Sequence, residues 1–221
     1  EITSITSTTV ANGTLRGTAS STTTAQAGAW SLEESLWSAT NGWPQTGDFF
    51  EDRLWLDARY RFAGSKAGDY ENFGIGTADD DAVVFAINAD QFNVITNLVG
   101  SRQLQIFTRG AEFIATGGSD NPITPTNVRV MPQTTFGSSG LRPLRIGNAT
   151  IFLTRSGRKL REFTLDPDSV DVAYVAHDLL LLADHLTDGI SETIVDFAYQ
   201  REPVPTIWAV VNVGAPKVDR S

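Results

Sequence analysis

From residue 49 onward, apolar runs of four to eight residues alternate with Gly, Asn, Asp and Pro punctuation. Runs of that length, rich in β-branched and aromatic residues and bounded by turn formers, read as strands. The pattern predicts strands over 49–56, 60–63, 83–88, 94–99, 104–108, 112–116, 128–133, 144–146, 150–154, 159–165, 193–199 and 206–212. Two tight hairpins stand out, one turning at Arg109-Gly110 and one at Arg155-Ser156-Gly157-Arg158. One segment breaks the pattern: residues 177–186 are rich in helix formers and meet a stop signal at Asp188-Gly189, which predicts one short helix.

A single strand motif recurs. Arg53-Leu54-Trp55-Leu56, Leu104-Gln105-Ile106-Phe107, Ala149-Thr150-Ile151-Phe152 and Pro205-Thr206-Ile207-Trp208 align with an aromatic at 55, 107, 152 and 208, at intervals of 52, 45 and 56 residues. A four-stranded unit repeated at that spacing suits a β-propeller, because one blade cannot bury both its faces and stacks against the next. The preferred architecture is therefore all-β and β-propeller-like, built from four-stranded blade repeats with one short helix. A β-sandwich whose turns mimic a period is the alternative.

Residues 1–29 differ from the rest. They form a Thr/Ser/Ala/Gly tract with too few aromatics for a core of its own, and Asn12-Gly13 reads as a hairpin turn. The expected organisation is an arm or hairpin over 1–29 and a propeller-like domain over 30–221, opening where Trp30, Trp37 and Trp43 arrive together. Because the chain begins at Glu1 rather than Met, a piece of a longer polypeptide is the expectation.

Charge narrows the functions available. A net charge of −9 argues against a surface that grips phosphates, while suiting one past which nucleic acid slides. The lack of cysteine excludes disulfides and thiolate metal sites. No run of 18 apolar residues is present, so no membrane insertion by a helix is expected.

Candidate chemistry is sparse. His177 and His185 are the two histidines, and their spacing is not the i, i+4 of a helical zinc pair. Asp79-Asp80-Asp81 could offer oxygen ligands to calcium, although the EF-hand alternation and closing Glu are missing; turn capping or a subunit contact is the competing role. Asp48, Glu51, Asp57, Asp69, Glu112, Glu162 and Asp196 supply carboxylate pairs of the kind a glycosidase needs, but any acidic chain does so. There is no Gly-x-Ser-x-Gly elbow, P-loop or Gly-x-Gly-x-x-Gly. The expectation is no enzyme and no cofactor. Arg142, Arg145, Arg155, Arg158, Lys159 and Arg161 place +6 in twenty residues without an acid, leaving −15 elsewhere. This cluster reads as a docking face for an acidic neighbouring subunit, or as a solvated hairpin whose charges block edge pairing.

Beyond these readings, ordered short motifs carry a resemblance. Ala29-Trp30-Ser31, Gly42-Trp43-Pro44, Phe49-Phe50-Glu51-Asp52-Arg53-Leu54-Trp55, Gly68-Asp69-Tyr70-Glu71-Asn72-Phe73 and Asp79-Asp80-Asp81 resemble tail proteins of the tubular-B or nozzle type in short-tailed bacteriophages. The series continues through Thr116-Gly117-Gly118, Pro122-Ile123-Thr124-Pro125, Phe136-Gly137-Ser138, the run from Gly157 to Glu162, Asp178-Leu179, the run from Ala183 to Leu186, Ala198-Tyr199-Gln200 and Trp208-Ala209-Val210. The resemblance covers roughly residues 29–214. It implies a structural virion component located in the tail and assembled in the host cytoplasm. The implied assembly is a hexameric ring of identical subunits around the DNA exit channel. Its neighbours would be adaptor and portal-side proteins and tail fibres, and the genome would pass without specific binding. Family members are usually longer, with platform and tip domains that this chain lacks. The competing class is a carbohydrate-binding or glycoside-cleaving propeller that recognises the host surface. A pocket pairing two carboxylates with Trp30, Trp43 or Trp55 would favour that class, and burial of those tryptophans would favour the structural one.

Overall fold

The computed structural model describes residues 2–7, 10–13, 36–87, 94–118, 121–168, 173–187 and 192–213. The chain divides into two compact units, Glu1–Leu36 and Trp37–Ser221, a few residues beyond the boundary expected at residue 29. Trp30 lies outside the described residues.

In the first unit, β1 (Ile2–Ser7) pairs antiparallel with β2 (Val10–Gly13). A hairpin forms as predicted, but Ser7 faces Val10 across it, so the chain reverses between those residues rather than at Asn12-Gly13. Asn12 instead lies within β2, and its amide donates across the pair to Ser4 Oγ and Thr6 Oγ1 at 3.3 and 3.0 Å.

The second unit holds three four-stranded antiparallel meanders and one two-stranded sheet. The first sheet runs in order through β3 (Gly47–Phe50), β4 (Arg53–Ala58), β5 (Arg61–Gly64) and β6 (Val83–Ala86). The second comprises β7 (Ile95–Gly100), β8 (Leu104–Thr108), β9 (Glu112–Thr116) and β10 (Arg129–Thr134). The third comprises β11 (Leu144–Ile146), β12 (Ala149–Leu153), β13 (Leu160–Leu165) and β14 (Tyr174–Asp178). The fourth is β15 (Glu192–Gln200) with β16 (Thr206–Val213). The motif that recurs in the sequence is thus the second strand of every sheet: β4, β8, β12 and β16.

Each second strand explains its own composition. Successive side chains point to opposite faces, so a strand covered on both sides must be apolar at nearly every position. On β8, Ile106 joins a core with Trp55, Phe62 and Val83 of the first sheet, while Phe107 joins Phe152, Phe163 and Tyr174 of the third. On β12, Phe152 faces the second sheet, whereas Ile151 and Leu153 pack with Ile194 and Phe197 of the fourth. The sheets therefore stack face to face in chain order. First strands lie side by side, β3 by β7 and β11 by β15, as do the fourth strands β10 and β14.

Two expectations are corrected. The run 49–56 is a hairpin, not one strand: Phe50 pairs with Arg53, and Glu51 and Asp52 reverse the chain at φ of 49° and 57°. A two-residue hairpin of that twist normally carries Asn-Gly, and no glycine marks it here. Nor is 177–186 a helix. His177 and Asp178 end β14, pairing with Glu162 and Arg161 of β13, and the only helical turn in the segment is the 3-10 stretch Asp184–Leu186. Leu180 packs into the core while Leu181 and Leu182 face solvent. A helix so short needs an apolar stripe docked along its length, and one inward leucine does not provide it.

Candidate functional site

The motifs that carry the resemblance converge on Arg53. This residue opens β4 beside the Glu51-Asp52 reversal and is only 2% exposed. Its guanidinium donates to four main-chain carbonyls: Ser65 and Asp81 at 2.6 Å each, Asp79 at 2.5 Å and Asp80 at 3.4 Å. Burial pushes the Arg53 pKa down, and the charges of Asp80, Glu51, Asp81 and Asp52 oppose that shift. A planar fork of five donors can hold several carbonyls together in a way a single ammonium cannot.

Around this centre the loop 65–82 is tied down residue by residue. Asp81 takes Lys66 Nζ at 2.6 Å and Ala78 N–H at 3.0 Å, which together hold its carboxyl below the usual range. The same bond raises the Lys66 pKa. Gly76 passes so close to the Asp81 carboxylate that any Cβ there would collide with it. Asp52 accepts the Tyr70 hydroxyl at 2.9 Å, and Phe73 meets Trp37 edge-on at 4.5 Å between ring centres. The loop therefore folds around one buried cation, which is why it has no regular secondary structure and still a defined path.

This geometry assigns the Asp79-Asp80-Asp81 cluster. Its three carbonyls go to a guanidinium, and both Asp81 oxygens are taken. Among the described residues, no group of three or more His, Asp or Glu side chains is arranged to hold a metal ion. Turn chemistry thus accounts for the contacts made by this stretch.

Most of the candidate carboxylates serve main-chain donors. Asp48 accepts from Phe49 and Gly100, Asp57 from Gln45 and Thr46, Glu51 from Ile123 at 2.7 Å, and Asp196 from Phe197. A cleft of about 430 Å³ lies between the Arg53 loop and residues 121–127, bordered by Glu51, Asp79 and Asp80. No tryptophan lines it. Trp55 is buried between the first two sheets, and Trp43 is 65% exposed.

The basic cluster is divided. Arg145 donates to Gly100 O at 3.0 Å, Lys159 pairs with Asp178 at 3.3 Å, and Thr187 donates to Arg158 O. Arg161 lies over the Phe136 ring at 3.5 Å and donates to Ala176 O at 2.7 Å. Arg142 and Arg155 are exposed. Four of the six side or main chains are thus engaged within the fold. The histidines are separated too, His177 on a strand and His185 in the 3-10 turn.

Sequence reasoning missed two buried charges. Arg53 could have been noticed as a lone cation in the apolar run Leu54-Trp55-Leu56. Glu112, at the start of β9, is fully buried; it accepts Thr134 Oγ1 at 2.5 Å and Phe136 N–H at 3.3 Å. Burial pushes its pKa up to about 7, against the pull of these bonds, that of Gly137 N–H and the charge of Arg161. Its other oxygen and the Arg161 Nε have no hydrogen-bond partner.

Compared with known proteins, the chain matches no family model and no curated protein.

Proposed function

We propose that this chain is a structural subunit of a bacteriophage tail, a propeller-like stack of blades that forms a ring around the DNA exit channel. The observation that carries this reading is the Arg53 loop. Residues of the tail-protein resemblance, from Phe49 to Trp55 and from Gly68 to Asp81, meet there and spend their donors and acceptors on holding the chain. Such motifs maintain a shape. The repeated four-stranded meanders, stacked through second-strand aromatics, support the propeller-like description.

The negative balance of the chain suits a channel wall, since carboxylates repel phosphates and leave the genome free to move. Adaptor proteins and fibres would be the other neighbours of the ring. The test is the mass of the purified chain by light scattering, followed by electron microscopy. Ring-shaped particles support the reading, and a chain that stays monomeric at every concentration sinks it. The second reading, carbohydrate recognition, has the Glu51, Asp79 and Asp80 cleft in its favour. Glycan-array binding abolished by Glu51→Gln would move the assignment there.

A further inference from the structure

The stack has two ends, and both are apolar. On the fourth sheet, Ile194 and Phe197 face the third sheet, while the opposite face of β16 presents Trp208 and Val210 at 61% and 58% exposure. On the first sheet, Trp55 and Phe62 face the second, while the opposite face presents Phe49, also 61% exposed, with Tyr70 against it edge-on at 5.1 Å.

Strand edges separate β16 from the other final strands. The outermost strands of the complete sheets are blunted: β6 has four residues, β10 carries Pro132 and a bulge, and β14 ends at Asp178. Such devices keep sheets from recruiting other chains. β16 has none of them; its eight residues include no charge and no proline. An uncharged surface on a chain of net charge −9 is where like chains meet without repulsion.

We propose that copies of this chain join end to end, the Trp208 and Val210 face of one packing on the Phe49 and Tyr70 face of the next. The occupant of each end is thus a second copy, and the contact extends the packing that already joins the first sheet to the second, the second to the third and the third to the fourth. The charges that flank the two faces are opposite, Asp196 across from Val210 on one and Arg61 on the other. Because the two surfaces differ, the contact is heterologous, and repeated rotation closes it into a ring. This rests on the ring reading above and supplies its interface.

The experiment uses Phe49→Glu and Trp208→Glu, both at exposed positions, with circular dichroism confirming the strand content of each. The wild-type chain should scatter as a multi-subunit particle and each variant alone as a monomer. An equimolar mixture should give a two-subunit particle, since each variant retains one intact end and growth stops after one contact. A ring that survives both substitutions overturns this interface and leaves the ring reading standing. Assembly by the Phe49→Glu variant alone overturns the head-to-tail arrangement in favour of a symmetric contact. A wild-type chain that stays monomeric overturns the ring itself.

Discussion

Strands β8 and β16 hold the same place in their sheets and share a composition, yet they differ in fate. All five residues of β8 are buried, because sheets cover it on both faces. β16 is covered on one face only, and Trp208 lies open where Phe107 is enclosed. Side-chain burial is therefore a property of the stack rather than of the strand, since each residue can bury only against a neighbouring sheet. Truncation should expose this directly. Phe107→Ala leaves a cavity between the second and third sheets and should cost about 4 kcal/mol, measured by urea unfolding.

The first sheet, at the other end, is held differently, since its long loop is anchored by Arg53. Arg53→Met should cost about 3 kcal/mol, because carbonyls that the guanidinium satisfied are left buried or must be rehydrated. Arg53→Lys should recover only part of that loss, one ammonium being unable to span four acceptors. If Lys restores full stability, the charge rather than the fork matters. Limited proteolysis within 65–82 would report the same loosening locally.

Between interior sheets a different sensitivity arises. Glu112 has a folded pKa of about 7, above its ordinary value, so the neutral acid is the form the fold prefers. Its stabilising contribution is complete below the unfolded pKa and is lost as pH rises through about 7. The loss amounts to about 3 kcal/mol for a shift of this size. The groups facing it are the Thr134 hydroxyl, the Phe136 and Gly137 N–H groups and Arg161. Asp81 acts in the opposite direction, its lowered pKa making stability fall as pH drops. The decisive measurement is thus the difference between wild type and Glu112→Gln at pH 5 and pH 8. The wild type should lose stability relative to the variant across that interval, and parallel curves would remove Glu112 from the account.

Much of the strand pattern was legible in the sequence because it follows from burial. A strand covered on both faces writes itself as a continuous apolar run with a recurring aromatic, and that repeat identified β4, β8, β12 and β16 before any pairing was known. What escaped was set by contacts distant in sequence. The Glu51-Asp52 reversal has no glycine to announce it, and Glu51 is drawn toward Ile123, 72 residues away. The leucines near 180 carry helical propensity, but β13 offers residues 174–178 a strand to pair with. The acidic triplet looked like a cation site, and it is one in a sense: the cation is Arg53, reached through carbonyls that no side-chain pattern reveals.

The smallest expected effect separates the two second strands most sharply. Trp208→Ala in dilute protein should change stability by less than about 0.5 kcal/mol, because an exposed side chain loses little by truncation. At higher concentration the outcome should change. If a second copy covers Trp208, the wild-type unfolding midpoint rises with protein concentration, since association stabilises the folded state by mass action. The variant's midpoint should stay flat. Phe107→Ala, in contrast, should lower the midpoint by a similar amount at every concentration, because its partners belong to the same chain. An aromatic covered by its own sheets and one covered by another molecule thus give curves of different shape, and that shape identifies what lies against each strand.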